Sequence, residues 1–438
     1  MLTAQAWIGR SVACACGQTH HVPIEKVCIG SDMLERLKAY AAAQHAEVWL
    51  IVSDANTHPL LGGATASALA AAGHKVDTHV FPETHDLLPD RPQIEAVRRR
   101  IRETGAQVAV AVGSGVINDI TRYASFKESI PYVVVATAPS MDGYASSVAA
   151  LQFDGLKTTL PAHTARAIFA DPSVLARAPW ELIQAGFGDL VGKTISLLDW
   201  KLAHTLYQEP LCAAAYELVQ KPLKACIDAA EGLRSRDAEA VRELFLGLVN
   251  AGVAMAMVGN SRPCSGSEHH LSHFWDLLAY KGRRAHASHG HQVGYATTWM
   301  MKFYRLLPQI DELVQPRPRT LDMSWREWVR EFYGDGAETV EAAQARKAER
   351  LAARQDHWRG WSRKSILAAL QPEFSWFAQV ERALGVMGLA DAGARLEIDR
   401  PILQETFEHA WELRDRYTIF DFLAGQDRMA WAVEAVLG

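Results

Sequence analysis

Residues 107–124 read Q-V-A-V-A-V-G-S-G-V-I-N-D-I-T-R-Y-A, a Val/Ala run that enters a glycine turn and continues as a helical pattern. An apolar run without polar alternation is what a strand covered on both faces requires, and the helix after it supplies one of the covers. The same unit recurs on either side. A-E-V-W-L-I-V-S over 46–53 precedes a helix over Leu60 to Ala72, and K-V-D-T-H-V-F over 75–81 precedes a helix over Ile94 to Glu103. P-Y-V-V-V-A-T over 131–137 and A-R-A-I-F-A-D over 165–171 add two more strands. Strands that alternate with helices predict a parallel sheet in an α/β domain, here assigned to residues 1–178. Val148 to Leu160 alternates about Asp154-Gly155 and predicts a hairpin insert. Beyond Pro179 the texture changes to amphipathic helical stretches broken at Gly188, Arg262-Pro263, Pro308, Pro316-Arg317-Pro318 and Pro401, which predicts an all-α domain over 179–438. Within it, Glu338 to Trp358 reads as a solvated helix without a function of its own.

A chain of 438 residues, 49% hydrophobic, can bury two substantial cores. Its net charge of -5 gives no electrostatic footprint for nucleic acid or for an anionic membrane, so a small molecule is the expected partner. The start, M-L-T-A-Q-A-W-I-G-R, has neither a basic leader nor an apolar run, and no later stretch approaches about 18 apolar residues. A cytoplasmic protein without membrane insertion is expected. Six cysteines, at 14, 16, 28, 212, 226 and 264, make no disulfide framework and are expected to be reduced. Cys14, Cys16, His20 and His21 form a C-x-C…H-H cluster that could hold a structural metal, but the spacing matches no standard zinc module, and a β-hairpin through the Gly-Gln-Thr turn accounts for it at lower cost.

Three places carry chemistry. Gly113, Ser114, Gly115, Val116 and Ile117 open a helix directly after a strand, so that backbone N–H groups and the helix dipole face a pyrophosphate, as in a Rossmann-like nucleotide-binding domain. A-T-A-P-S-M-D-G-Y-A-S-S over 136–147 gathers hydroxyls and a carboxylate at the end of the next strand. There Thr137 and Ser140 suit a nucleotide, and Asp142 and Ser146 a sugar or polyol hydroxyl. Cys264 to Ala296 holds six histidines. Ser267 is expected to cap a helix with Glu268 in its first turn, placing His269 and His273 a turn apart on one face, while His289 adjoins Gly290. His270 competes with His269 on these grounds. Two imidazoles with a remote carboxylate suit a divalent metal, and A-G-F-G-D-L-V-G-K offers Asp189 in the first turn of a helix, with Lys193 one turn on.

These segments, G-S-G-x-I-N-D, T-A-P-S-M-D-G-Y-A-S, G-F-G-D-L-x-x-K, G-S-E-H-H-x-S-H and S-H-G-x-x-V-G, stand in the order seen in sn-glycerol-1-phosphate dehydrogenases. Those enzymes belong with glycerol dehydrogenases, iron-dependent alcohol dehydrogenases and dehydroquinate synthases. The resemblance runs from Asp54 to Met301, with an echo in E-L-R-D-R-Y-T-I. It implies a dehydroquinate synthase-like fold, with a Rossmann-like α/β domain followed by an all-α metal-binding domain. It further implies Asp189, His269 and His289 as ligands of one divalent metal (zinc, nickel or iron), with His273 on the substrate and His291 a neighbour. Lys193 stands where iron-dependent alcohol dehydrogenases carry a further histidine, which argues for three protein ligands.

The activity so implied is hydride transfer between NAD or NADP and a dihydroxyacetone-phosphate-like ketone. Asp142 and His273 would orient hydroxyls, Lys193 and Lys157 would meet the phosphate, and Gly113 to Ile117 with Thr137, Ser140 and Ser146 would hold the cofactor. Asp54 and Asn56 lie near where such relatives contact nucleotide, or else cap a turn. A polyol dehydrogenase, a dehydroquinate-synthase-like cyclase or lyase and a non-enzymatic sensor are the rival readings. The C-terminal hundred residues leave room for a homo-oligomer contact.

Overall fold

In the computed structural model the described residues are 3–83, 87–153, 156–317, 319–358, 360–371 and 373–438. Contacts divide the chain into two compact units, one of Met1–Leu190 and Glu217–Asn260, the other of Val191–Tyr216 and Ser261–Gly438. The units interleave along the chain, whereas the sequence suggested one boundary after residue 178. Both crossings fall inside unbroken helices, Trp180–Tyr207 and Ala213–Asp228.

The first unit is built on a six-stranded parallel sheet. Its strands are β3 (Lys26–Ile29), β4 (Val48–Asp54), β5 (Lys75–Phe81), β6 (Val108–Gly113), β7 (Tyr132–Ala136) and β10 (Ala167–Ala170), in the order β3-β10-β7-β6-β4-β5. Five of them are the runs anticipated from apolar pattern. Lys26–Ile29 was not, because four residues with a lysine carry too little pattern; parallel pairing with β10 makes it a strand. Helices α1 (Met33–Ala42), α2 (Gly63–Ala71), α3 (Arg91–Thr104) and α4 (Gly115–Lys127) follow β3, β4, β5 and β6 in turn. One face of the sheet buries Trp49, Ile51, Val110, Val112, Val133, Val135 and Phe169 in one cluster with Leu37 and Leu69 of the helices. The chain turns from β4 outward to β5, then returns to place β6 on the other side of β4. Ligands of open α/β sheets gather at such a reversal of strand order, off the carboxyl ends of the strands.

Two antiparallel pairs stand outside this sheet: β1 (Arg10–Ala13) with β2 (Thr19–Val22), and β8 (Val148–Phe153) with β9 (Leu156–Pro161). Both hairpins were expected; the Asp154-Gly155 turn itself lies outside the described residues. After the short α5 (Pro172–Leu175) the rest is helical: α6 (Trp180–Tyr207), α7 (Ala213–Asp228), α8 (Ala230–Arg234), α9 (Ala238–Val258), α10 (Ser267–Tyr280), α11 (His289–Arg305) and further helices to Leu437. α9 is long and apolar enough by composition to cross a membrane, but 78% of its apolar window is buried within the protein.

α6 corrects the expected break at Gly188. It runs without interruption for 28 residues, so Asp189 sits mid-helix and gains nothing from the helix dipole. Glycines in this stretch serve close approach. A Cβ on Gly186 would lie 1.6 Å from the Pro139 carbonyl oxygen, and one on Gly192 would lie 2.4 Å from Val293 Cγ1 of α11.

Candidate active site

The loop after β7 is held from three sides. On α4, the fully buried Arg122 donates to the carbonyl oxygens of Gly143, Tyr144 and Val148 and to the Tyr132 hydroxyl, and pairs with Asp119 at 3.0 Å. On α6, Gly186 admits Pro139. On α9, a Cβ at Gly252 would lie 2.8 Å from the Asp142 carbonyl oxygen and 2.7 Å from Ala145 Cβ. So fixed, the loop directs the Asp142 N–H to Asp189 Oδ2 at 3.0 Å. Arg122 was missed by sequence reasoning; an arginine in an otherwise apolar helix stretch was the only signal.

At the end of β6 the chain enters α4 through Ser114 as N-cap, with no side-chain cap. Gly113 is required by packing: a Cβ there would lie 2.6 Å from Ile117 Cβ, and at Gly115 the nearest atom would be Met141 Sδ at 3.2 Å. The Thr137 N–H donates to the Gly113 carbonyl, which ties β7 to this turn. Ser146 is buried, and its Oγ accepts the Val148 N–H at 3.1 Å. Ser140 hydrogen-bonds the Tyr144 hydroxyl. At the end of β4, Asp54 Oδ1 accepts the N–H groups of Asn56 and Thr57, the turn cap that was one of its two readings. Val116, Ile117 and Asn56 line the same end of the sheet, beside the strand-order reversal.

In the second unit, α10 begins at Ser267, and the expected serine cap is not made. Gly266 is the N-cap, its N–H is taken by Glu268 Oε1 at 3.0 Å, and the Ser267 N–H is taken by Asp199 Oδ2 at 2.6 Å. A carboxylate from α6 caps the helix instead. Glu268 also holds His269 Nδ1 at 2.6 Å, and Ser272 Oγ holds His289 Nδ1 at 3.1 Å. Each imidazole is thereby oriented through its Nδ1. The His269 and His289 rings are 5.0 Å apart, and His273 stacks on His289 at 5.6 Å.

Asp189 shares its unbroken helix with Val191–Tyr207, two residues ahead of it. Asp189 belongs to the first unit, while His269 and His289 stand together in the second, on α10 and at the start of α11. One carboxylate and two imidazoles are a donor set suited to a divalent transition metal with a coordination position open. His270 does not join them. It is fully buried, both its ring nitrogens lack a hydrogen-bond partner among the described residues, and burial with Arg416, Lys347, Arg414 and Arg262 nearby holds its pKa well below the usual value. His291 is buried on α11, outside the group of three.

Burial dominates the electrostatics. It raises the Glu268 carboxyl to about 7, against the Gly266 and Glu268 N–H groups and the positive charge of Lys193. Asp199 rises to about 6 through burial and the nearby Glu268. Lys193, expected to meet a phosphate, is wholly buried and contributes its charge to Glu268. The side chain of Lys157, on β9, lies outside the described residues.

Residues 28–179 match the iron-containing alcohol dehydrogenase family. Over nearly the whole chain the fold is similar to that of an iron-containing alcohol dehydrogenase from Thermococcus thioreducens, with a TM-score of 0.58 at 15% identity, covering 94% of this chain and 97% of that one. The architecture is therefore that of the iron-containing alcohol dehydrogenases: a parallel α/β sheet followed by helices. Closer in sequence are enzymes named glycerol-1-phosphate dehydrogenase (NAD(P)+). The one from Geobacillus stearothermophilus is 32% identical over 94% of this chain and 95% of its own length, and the one from Halalkalibacterium halodurans is 31% identical over 93% and 94%. The chain belongs to the glycerol-1-phosphate dehydrogenase family.

Proposed function

We infer that this chain is a metal-dependent, NAD(P)-linked glycerol-1-phosphate dehydrogenase that interconverts dihydroxyacetone phosphate and glycerol 1-phosphate in the cytoplasm. The observation that carries the reading is the pair His269 and His289, with both imidazoles already oriented by Glu268 and Ser272; Asp189 is the carboxylate that would complete the ligand set. A divalent cation in that site supplies Lewis-acid polarisation of the substrate carbonyl. With NAD(P)H bound, the reduced nicotinamide would supply hydride to the carbonyl carbon, and the chain's own residues would supply the proton that its oxygen needs. His273, beside His289 on the same face as His269, passes that proton, and Asp142 orients the adjacent hydroxyl. The N-terminal amides of α4 and the loop with Thr137 and Ser140 hold the dinucleotide at the strand-order reversal. Lys193 and Lys157 are the candidate cations for the phosphate.

The test is NADH and NADPH oxidation with dihydroxyacetone phosphate or dihydroxyacetone, using metal-stripped enzyme reloaded with zinc, nickel or iron, with Asp189→Ala as control. Metal-dependent turnover of the phosphate ester, absent in the variant, is expected. A preference for the unphosphorylated ketone turns the reading to a polyol dehydrogenase. No net oxidation of either cofactor turns it to a cyclase or lyase that uses NAD within one turnover.

A further inference from the structure

The N-terminal hairpin holds chemistry that the hydride-transfer reaction does not use. β1 and β2 pair from Arg10 with Val22 to Ala13 with Thr19, and the turn between them reads C-A-C-G-Q. The Cys14 N–H donates to the Gln18 carbonyl, the Gly17 N–H donates to the Cys14 carbonyl, and Gly17 takes φ +84, so the chain doubles back between Cys14 and Gln18. Cys14 and Cys16 stand on this turn as thiols, Cys16 exposed and Cys14 half-buried, with their sulfurs within 4.8 Å of each other.

His20 follows on β2 and is buried. Its Nδ1 lies 2.7 Å from the Met257 carbonyl of α9, and because a carbonyl only accepts, Nδ1 carries the proton. Nε2 is therefore the lone-pair nitrogen, and the Cys16 thiol donates to it at 3.3 Å. Trp7 meets the same ring edge-on at 5.8 Å. His21, the other histidine of the sequence cluster, meets Ser11 Oγ at 3.0 Å instead. Cys14, Cys16, His20 and Met257 all belong to the first unit.

A nucleophile, a base within reach of it and a third group that orients the base are the parts that activate a thiol. The thiolate is the reactive form. Transfer of the Cys16 proton to Nε2 leaves that thiolate beside an imidazolium whose two N–H groups are both taken, one by the sulfur and one by the Met257 carbonyl. Oxidant-sensing thiols are characteristically reachable from solvent and placed beside a second thiol, and Cys16 meets both conditions.

We propose that Cys16 is a peroxide-reactive thiol, with His20 as its base and Cys14 as its resolving thiol. The Cys16 sulfur attacks one oxygen of hydrogen peroxide. The S–O bond forms, the O–O bond breaks, and the departing hydroxide takes the proton held by His20 and leaves as water. The Cys14 sulfur then attacks the Cys16 sulfenic acid. The S–S bond forms, the S–O bond breaks, and the hydroxyl leaves with the Cys14 proton as a second water. The sulfur pair loses two electrons and the peroxide gains them. A disulfide confined to one tight turn is strained and therefore easily reduced, so a small dithiol restores the starting state.

The test exposes the full chain to hydrogen peroxide at neutral pH, quenches it with N-ethylmaleimide and maps the N-terminal peptide by mass. A Cys14–Cys16 disulfide is expected, lighter by the two thiol hydrogens and reopened by dithiothreitol. In Cys14→Ser, dimedone is expected to label Cys16, and Cys16 is expected to react with peroxide about 5-fold faster than glutathione, the gain in thiolate exceeding the loss in its nucleophilicity. Adding His20→Gln is expected to bring that rate down to the glutathione value, while His21→Ala leaves it unchanged. Should His20→Gln fail to fold, the rate of Cys16 against glutathione in Cys14→Ser decides alone. The proposal is overturned if Cys16 reacts no faster than glutathione, if dimedone leaves Cys16 unlabelled, if a folded His20→Gln variant reacts as fast as its parent, or if peroxide closes no Cys14–Cys16 bond.

Discussion

Single side chains decide how the active site is tuned. Glu268 is the clearest case, because sequence reading saw only an acid in a first turn, whereas the structure has it orient His269 and face Lys193. Glu268→Ala is expected to weaken divalent-metal affinity about 10- to 100-fold, the usual cost of losing a partner of a ligating histidine. A chelator-competition titration measures it, and unchanged affinity would remove Glu268 from the site. By the same assay His269→Ala abolishes active-site metal binding, while His270→Ala retains it. Two adjacent histidines cannot be ranked from residue type; the direction each leaves the helix ranks them. His163 yields a pH prediction. Burial, with Arg122 and Arg166 nearby, lowers it to about 4 from 6.5, and it stacks on Tyr132 with Nε2 on Ser125 Oγ. Being depressed in the folded state, it contributes stability above the unfolded value that is lost as pH falls from about 6.5 through about 4. In His163→Gln, Tm is expected to fall less steeply over that window than in the parent.

At the scale of elements, strand and helix runs in the first unit were legible because buried parallel strands leave continuous apolar runs. α6 was not read correctly, since glycine counts as a breaker unless the surface packed against the helix is known. Gly186→Ala is expected to cost more than about 3 kcal/mol, because its Cβ would enter the Pro139 carbonyl, a backbone atom that cannot rotate away. Gly63→Ala, in open space on α2, is expected instead to gain about 0.4–1 kcal/mol. Denaturant midpoints distinguish the two, and a neutral Gly186→Ala would contradict the packing described. The charged helix Ala337–Ala352, read as solvated, in fact buries Gln344 and Lys347, the latter paired with Asp421 at 2.9 Å. Residues some 70 positions on supply those partners, beyond the reach of helical periodicity.

For the whole molecule, a dinucleotide that binds only the folded chain raises its stability by mass action. NADH at about 100 times its Kd is expected to add about 2.7 kcal/mol, read as an upward shift in Tm that grows with concentration. If neither NADH nor NADPH shifts Tm, the nucleotide reading of the α4 terminus fails. The C-terminal segment also acts at this scale. Arg416 donates to Ser265 O and Ser261 Oγ, the Ile419 N–H donates to Asp199, and Arg262 donates to Tyr417 O, so this stretch braces the start of α10 and with it His269.

The sequence by itself determined the α/β-then-helical order, the glycine turn after β6, and the residue types of the metal site. Each of these is written in local pattern or in the chemistry of single side chains. Tertiary structure alone decided that Asp189 lies within an unbroken helix, that Glu268 and Ser272 orient the two histidines, and that Lys193 is buried. The physical reason is the same throughout: these are distances between atoms far apart in the chain, set by packing and burial, and no spacing along the sequence encodes them.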